Sequence, residues 1–245
     1  MIDVLREMVD CVSGLGFDVI KVTADDEKAV FEAVNKDRTA VMKAETKAPL
    51  EDVRGVFGLS NLNVLSGILS LSSMRGSDVT VEVKNANDGS PEELIFNGKD
   101  GARAVYRLMG EAAVPKQPNF RTPAWDVTIE EVSKGAFLAV KEQSAVFGAV
   151  GGNKYTPSAK DGKLVFEIGD TSASNHYTSF AVCECEGDLS GNYKYQIPMT
   201  ITALALTNSK SLTLHYSSKG VMQIEFGNED DSQLSVNVIF PGHNA

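Results

Sequence analysis

The three histidines are the side chains best suited to acid–base or metal chemistry at neutral pH, and they are dispersed along the chain. His176, His215 and His243 have no carboxylate or cysteine at the spacing of a metal site. The glycine-rich residues 148–152 lack the lysine and the strand-to-helix context of a phosphate loop, so they are interpreted as a turn. No Gly-x-Ser-x-Gly motif occurs. The sequence therefore predicts a protein that is not an enzyme and has no metal or cofactor.

The cysteines and the hydropathy indicate the compartment. Cys11, Cys183 and Cys185 are odd in number and lack zinc-type spacing, which predicts reduced thiols. There is no run of 18 apolar residues and no basic-then-apolar leader, so no membrane association is expected. The expected location is the cytoplasm, which would be that of the host cell if the protein is viral.

Charge is unevenly distributed in this acidic chain. The net charge of −10 argues against simple DNA binding, because phosphates repel an acidic surface. However, residues 53–77 and 189–224 contain no Asp or Glu. At the chain average of 33 acidic residues in 245, about 3 and about 5 carboxylates are expected there. Two interpretations stay open: chance combined with adjoining buried strands, or helices in these stretches that face an anion.

Hydrophobic periodicity predicts four helices separated by strands. The central helix, 61–71, has Leu62, Leu65 and Ile68 on one face, and Ser60 or Asn61 can cap its start. The other predicted helices cover 2–13, 129–144 and 198–207. The predicted strands cover 17–24, 29–35, 39–45, 79–84, 93–98, 102–109, 125–128, 145–150, 163–169, 178–186, 193–197, 211–216, 221–226 and 234–240.

A proline-rich stretch divides the chain. Pro115, Pro118 and Pro123 lie within nine residues, where a sheet ladder is disfavoured. We therefore predict an N-terminal domain over 1–109, a linker over 110–122 and a C-terminal domain over 123–245. Each half follows the order helix, strands, helix, strands, which indicates an α+β duplication without a fixed-period sequence repeat.

Two segments resemble a known family. The pattern Asn-Leu-x-x-Leu-Ser-x-Ile-Leu at residues 61–69, followed by a valine-alternating strand, resembles the second helix of a DNA sliding clamp domain. It is most similar to the clamps of T-even-type bacteriophages. Residues 193–241 are similar to the end of both phage clamps and the eukaryotic and archaeal PCNA type.

The resemblance implies a fold and a function. Such clamps are α+β proteins with two similar domains, each with two helices packed on antiparallel β-sheets, and they assemble as a homotrimeric ring of six domains. The ring encircles duplex DNA without sequence preference and tethers the replicative DNA polymerase, which gives processivity. Further implied partners are the C-terminal peptide of the polymerase and an ATP-driven clamp loader.

The resemblance also implies site residues. The helices line the hole, so the candidate DNA-facing cations are Arg6, Arg75, Lys134, Lys141, Lys194 and Lys210. Arg6 also has acidic neighbours at helical spacing, which favours an ion pair. Gly67 departs from the pattern, because PCNA-type clamps often have a basic residue there. The partner-peptide pocket under the linker would be formed by Val34, Thr39, Val114, Phe120, Val221, Val238, Phe240 and Pro241.

Two alternatives lack a closed ring. One is a non-enzymatic, β-rich structural subunit of a virion, which would not require helices free of carboxylates. The other is a clamp-like processivity factor that binds DNA as a monomer or dimer, which would require a more basic face than this chain offers.

Overall fold

The computed structural model describes residues 1–12, 14–117, 121–169, 176–205, 211–227 and 232–244. The chain forms two compact units. Unit 1 comprises Met1–Asn119 and Asp230–Val236, and unit 2 comprises Phe120–Glu229 and Asn237–Ala245. The predicted linker at 110–122 stays a prediction, since residues 118–120 lie outside the described ranges.

Unit 1 alternates helices with antiparallel strands. Its main elements are, in chain order, α1 (Ile2–Val12), β1 (Val19–Ala24), β2 (Ala29–Val34), β3 (Val41–Thr46), β4 (Gly55–Ser60), α2 (Leu62–Ser70), β5 (Thr80–Asn85), β6 (Pro91–Asn97), β7 (Arg103–Arg107) and β8 (Met109–Gly110).

Two sheets form in unit 1. One has the strand order β8-β4-β1-β2-β3, and residues 234–236 lie beside β3. The other is the meander β5-β6-β7. Strands β1 and β2 alternate buried with half-buried side chains, so Ile20, Val22 and Phe31 reach the core. Leu65 and Leu69 bury one face of α2, which confirms the apolar stripe predicted for this helix.

Unit 2 follows the same pattern. Its elements are, in chain order, β9 (Val127–Ile129), α3 (Lys134–Phe147), β10 (Lys154–Lys160), β11 (Lys163–Gly169), β12 (Tyr177–Glu184), β13 (Tyr193–Gln196), α4 (Ile197–Leu204), β14 (Leu212–Ser217), β15 (Val221–Phe226), β16 (Leu234–Pro241) and β17 (His243–Asn244). The first three residues of β16 belong to unit 1 and the rest to unit 2.

The core of unit 2 is rich in aromatic side chains. The sheet β12-β11-β10-β13-β17 supplies Tyr155, Phe166 and Tyr195, while the strands β16-β15-β14-β9 supply Tyr216. The rings of Tyr155 and Phe166 have centroids 4.3 Å apart. The buried hydroxyls of Tyr155 and Tyr216 are 2.9 Å apart and share one hydrogen bond.

The two units have the same strand connectivity. The order β4-β1-β2-β3 in unit 1 matches β13-β10-β11-β12 in unit 2, and the meander β5-β6-β7 matches β14-β15-β16. The short strand β8 lies beside β4 as β17 lies beside β13. Strands β1–β8 therefore correspond to β10–β17, and α1 and α2 correspond to α3 and α4. The predicted α+β duplication is confirmed at the level of individual strands.

Besides the two-residue strand β17, two strands were not predicted. β4 contains Gly55 and Gly58, and β10 contains Pro157, so neither has an uninterrupted apolar alternation. Their assignment depends on pairing partners far along the chain, β1 for β4 and β11 for β10.

The boundaries of α3 were wrong. Residues 145–150, predicted as a strand, complete α3 and the turn after it, with the N–H of Gly148 donating to the carbonyl of Ser144 at 2.9 Å. The helix starts at Lys134 rather than at residue 129, because Ile129 pairs with Leu214 in the sheet and Ser133 caps the helix.

Candidate functional site

Two helices carry no charge at all. α2 and α4 consist only of apolar and uncharged polar residues, and each lies in one of the two stretches without carboxylates, as predicted. The first turns of α2, α3 and α4 contain no acidic residue. Asn61 stands at the N-cap of α2 with φ at 55°, but its side chain makes no capping hydrogen bond. No carboxylate within these first turns therefore interacts with the positive ends of the helix dipoles.

A groove between α1 and α2 contains two arginines. Its volume is about 370 Å³, and it is lined by Arg6, Val9, Asp10, Ser66, Leu69, Ser70, Arg75 and Gly76. Arg6 pairs with Asp3 at 3.1 Å and donates to the carbonyl of Met74 at 2.6 Å, which confirms the expected ion pair. Arg75 is exposed, and none of the described carboxylates lies within ion-pair distance of it. The guanidinium of Arg75 is thus available to an external anion.

The start of α3 is electropositive. The hydroxyl of Ser133 accepts a hydrogen bond from the N–H of Ala136 at 3.1 Å, and the first turn carries Lys134. A cation at a helix N-terminus costs about 0.3–1 kcal/mol, because it faces the positive end of the dipole. Lys141, two turns on, is on the same face, and both lysines are exposed. Neither makes an ion pair within the described ranges, so both are available to phosphates.

The other two predicted cations lie differently. Lys194 is half-buried on β13, opposite His243 of β17. Lys210 lies outside the described residues. The assignment of the six cations to DNA remains a prediction.

The residues of the predicted peptide pocket differ in exposure. Val34 and Thr39 are half-buried at the β2–β3 turn, where Asn35 Oδ1 accepts from the N–H of Thr39 at 2.8 Å. Val114 is half-buried over Gly58, where an added Cβ would lie 3.1 Å from it.

In unit 2, Val238 and Phe240 are 0% and 3% exposed, so they are core residues that present no surface to a peptide. Val221 is half-buried and Pro241 is exposed. Phe120 lies outside the described residues. The pocket itself stays a prediction. Its partly exposed residues are the ones that a peptide can contact.

Sequence reasoning missed two apolar surfaces. Among the described residues, every exposed large apolar side chain belongs to one of two patches. The unit 1 patch comprises Val64 on α2, Leu71 directly after α2, and Val105 on β7 beside this helix. The unit 2 patch comprises Leu138, Val146, Val150 and Tyr177, on α3, the turn after it and β12 beside it. The signal in the sequence was that the helical members of these patches, Val64, Leu138 and Val146, fall outside the buried stripes of their helices.

Each patch borders a strand whose outer edge pairs with none of the described strands. β7 ends the meander of unit 1, and β12 ends the five-stranded sheet of unit 2. An exposed strand edge offers backbone donors and acceptors to another chain. Apolar side chains beside such an edge are typical of an interaction surface.

The buried histidine, His215, contacts a hydroxyl group and an aromatic ring. His215 Nδ1 lies 3.0 Å from the hydroxyl of Thr128, and its ring stacks on Trp125 with centroids 5.2 Å apart. Burial lowers the pKa of His215, and Glu225, 3.6 Å from Nε2, partly opposes this. Burial also raises the pKa of Cys183 to about 11, which keeps that thiol protonated and unreactive at neutral pH.

The described residues assemble neither a metal site nor a membrane span. No group of three or more His, Cys, Asp or Glu side chains among them is placed to hold a metal ion. None of the helices in the described ranges is both long enough and apolar enough to cross a membrane.

The structure is similar to several clamps over nearly its whole length. One similar structure is that of the C-terminal region of FEN-1 bound to A. fulgidus PCNA. Its matching chain gives a TM-score of 0.72 at 11% identity, and the match covers 99% of this chain and 96% of that chain. The PCNA2–PCNA3 complex from Sulfolobus tokodaii gives 0.68 at 9% identity, and Proliferating Cellular Nuclear Antigen from Entamoeba histolytica gives 0.71 at 11%. Both also cover 99% of this chain and 96% of theirs.

No family model and no curated protein matches the sequence. At 9–11% identity, the structural likeness establishes the fold. The chain has the PCNA-like clamp fold, so the predicted fold class is confirmed.

Proposed function

We propose that this protein is a sliding clamp: three copies close into a ring that encircles duplex DNA and tethers a DNA polymerase. The observation that carries the proposal is the combination of the PCNA-like fold with two uncharged helices, α2 and α4, in a chain of net charge −10. In this function the protein contributes topology and positioning, so no catalytic residue is required.

The electrostatics suit a duplex that must move. Sliding requires nearly equal energy at every register, which contacts to base edges would prevent. Uncharged helix surfaces next to a few cations, such as Arg75, Lys134 and Lys141, tolerate phosphates without fixing them. The abundant carboxylates elsewhere disfavour DNA on other surfaces.

Ring closure is supported by the two patches. The unit 1 patch and the unit 2 patch are different surfaces, and each lies beside a strand edge that pairs with no strand in the described part of the chain. A contact between unlike surfaces of identical chains joins them head to tail, and such contacts form rings when the rotation closes. With two units per chain, three copies give the six-domain ring implied by the resemblance.

Protein partners are proposed on two grounds. A PCNA of the same fold binds the C-terminal region of FEN-1, and two PCNA chains of Sulfolobus tokodaii form a complex. We extend this to a polymerase C-terminal peptide at the partly exposed pocket residues Val34, Thr39, Val114, Val221 and Pro241, and to a clamp-loader ATPase. The resemblance of residues 61–71 to T-even-type clamps supports a role in bacteriophage replication.

The test combines mass with topology. Sedimentation equilibrium should give the mass of three 26.3 kDa chains. After loading onto DNA, the protein should remain on a closed circle and leave a linear duplex of the same sequence by sliding off its ends. Blocking both ends of the linear duplex with bulky adducts should restore retention.

Other results would select the alternatives. A mass of one or two chains with equal retention on circles and open linear DNA would indicate a factor that binds DNA without closing. Assembly without any retention on circular DNA would favour a structural subunit and reject the clamp.

A further inference from the structure

The internal duplication leaves one strand position unmatched. In unit 2, the short strand β9 lies on the outer side of β14 and is followed by α3. The counterparts of β14 and α3 in unit 1 are β5 and α1. α1 starts at Ile2, and no strand of the described residues lies on the outer side of β5, the first strand of the meander. The position that β9 fills in unit 2 is thus open in the described part of unit 1.

The apolar face of β5 is incompletely covered. Val81 and Val83 are the Cα partners of Phe96 and Leu94, which are buried on β6, so the two valines lie on the core side of the meander. Both valines are nevertheless only half-buried. An additional strand at this edge would remove more of their surface from water.

The matching strand in unit 2 shows what such a cover does. Leu214 and Tyr216 point from β14 into the core, where they are 1% and 0% exposed. Their antiparallel partners on β9 are Ile129 and Val127, which are themselves buried. Thr128, between these two partners, is exposed. A segment with the order apolar, polar, apolar is therefore the pattern that completes an edge of this kind.

The outer face of β5 indicates the charge of the segment that fits there. Glu82 lies between the two valines and Asp78 directly before the strand, and both are exposed. Glu82 accepts a hydrogen bond from Nδ2 of Asn97 at 2.9 Å, and neither carboxylate lies within ion-pair distance of a described cation. Lys84, the cation of β5, is already paired with Glu93 at 3.0 Å. The uncompensated charge at this edge is negative, which favours Lys or Arg at the polar position of an added strand.

We infer that the outer edge of β5 binds an extended segment of a partner protein in which two β-branched apolar residues flank a lysine or arginine. The segment pairs antiparallel with β5 through backbone hydrogen bonds, as β9 does with β14. Its apolar side chains cover Val81 and Val83, and its basic side chain lies opposite Glu82. This strand site requires neither ring closure nor DNA, so it goes beyond the proposed function.

Hydrogen exchange with a synthetic peptide tests the position of the site. The probe is a capped peptide with the sequence Val-Lys-Ile between threonines, added in excess to the whole protein. Amide exchange in residues 79–85, followed by mass spectrometry, should slow at least about 3-fold, because N–H groups at the outer edge gain acceptors. Exchange in β14, whose outer edge is already covered by β9, should not change and is the internal control.

Charge reversal tests how the segment is recognised. A second peptide has Glu in place of Lys, and fluorescence anisotropy of labelled peptides gives both dissociation constants. Glu82→Lys should raise the dissociation constant of the Val-Lys-Ile peptide about 3- to 10-fold and lower that of the Val-Glu-Ile peptide, because like charges directly opposite each other are unfavourable. Glu51→Lys reverses an exposed charge outside the meander and should change neither constant. Circular dichroism and urea unfolding establish that both variants are folded.

The outcomes decide the inference separately from the clamp. Protection of residues 79–85 together with the reversed charge preference supports the strand site. Binding without protection there, an unchanged preference in Glu82→Lys, or no binding at millimolar peptide rejects it. If these amides are already protected in the free protein, the edge is occupied by its own chain or by a second copy, which dilution distinguishes, and the inference is likewise rejected. The three-chain mass and the retention on circular DNA test the clamp, whichever of these results is found.

Discussion

The carboxylate of Glu7 on α1 is hydrogen-bonded to the hydroxyl of Ser232, a residue 225 positions further along the chain. The other carboxylate oxygen accepts from the N–H of Gln233 at 2.8 Å. Ser232 is buried, and the carbonyl of Gln233 accepts from the N–H of Lys47. One acidic side chain thus fixes the late segment 232–236 within unit 1, where it lies beside β3.

The first prediction concerns this link. Glu7→Gln keeps the size of the side chain but removes its negative charge, so the hydrogen bonds to Ser232 and Gln233 are no longer made to a charged group. We expect a loss of about 1–3 kcal/mol in the free energy of unfolding, as for hydrogen bonds to charged groups. Urea unfolding measures it. Glu51→Gln, at an exposed position, should stay within about 0.5 kcal/mol of the original, and equal midpoints for Glu7→Gln would disprove the link.

A pair of glycines in unit 1 gives a second prediction. A Cβ at Gly98 would lie 2.4 Å from the carbonyl oxygen of Ser73 and 2.8 Å from the sulfur of Met74, whereas a Cβ at Gly67 would meet nothing within 4 Å. Gly98→Ala should destabilise by about 1–3 kcal/mol through overpacking. Gly67→Ala should stabilise by about 0.5–1 kcal/mol, because glycine is unfavourable inside a helix. Similar urea midpoints for the two variants would contradict this packing.

The third prediction is a pH dependence at His215. Burial lowers the pKa of His215 below its ordinary value of 6.5, so the unfolded chain binds the proton at higher pH than the folded chain. The stability associated with neutral His215 is therefore complete above pH 6.5 and is lost as the pH falls from 6.5 towards the folded pKa. The slope is at most about 1.4 kcal/mol per pH unit.

The contribution of His215 is measured by comparing the original protein with a variant that lacks this histidine. Urea midpoints between pH 7.5 and pH 5 should fall less steeply for His215→Gln than for the original protein. His243→Gln, which changes an exposed side chain, should follow the original curve. Parallel curves for the original protein and His215→Gln would show that the histidine is not the source.

The fourth prediction tests the cations proposed to face DNA. Arg75→Ala, Lys134→Ala and Lys141→Ala should each weaken the initial association with duplex DNA equally for all sequences. Each should also reduce the slope of log affinity against log salt by about 1, because one phosphate contact is lost. Lys36→Ala serves as control, since Lys36 is paired with Asp18 at 3.0 Å. An unchanged salt slope for all three variants would remove these residues from the interface.

Local pattern was enough for much of the architecture. The stripe of Leu65 and Leu69 specified α2, and the alternation in β11 and β15 gave their bounds without error, because side-chain periods of 3.6 and 2 are local properties. The charge sorting was also visible, since a missing carboxylate needs no structure to be noticed. The alternating helix and strand order led to the duplicated α+β plan.

Long-range pairing decided the rest. β4 and β10 have weak local signals and exist because β1 and β11 provide partners, and the burial of Val238 and Phe240 follows from the packing around β16. The sequence alone determined the elements and the uneven charge of this protein. Only the tertiary structure decided which strand edges stay unpaired and which apolar side chains stay in water, because hydrogen-bond partners and burial depend on residues far apart in the chain.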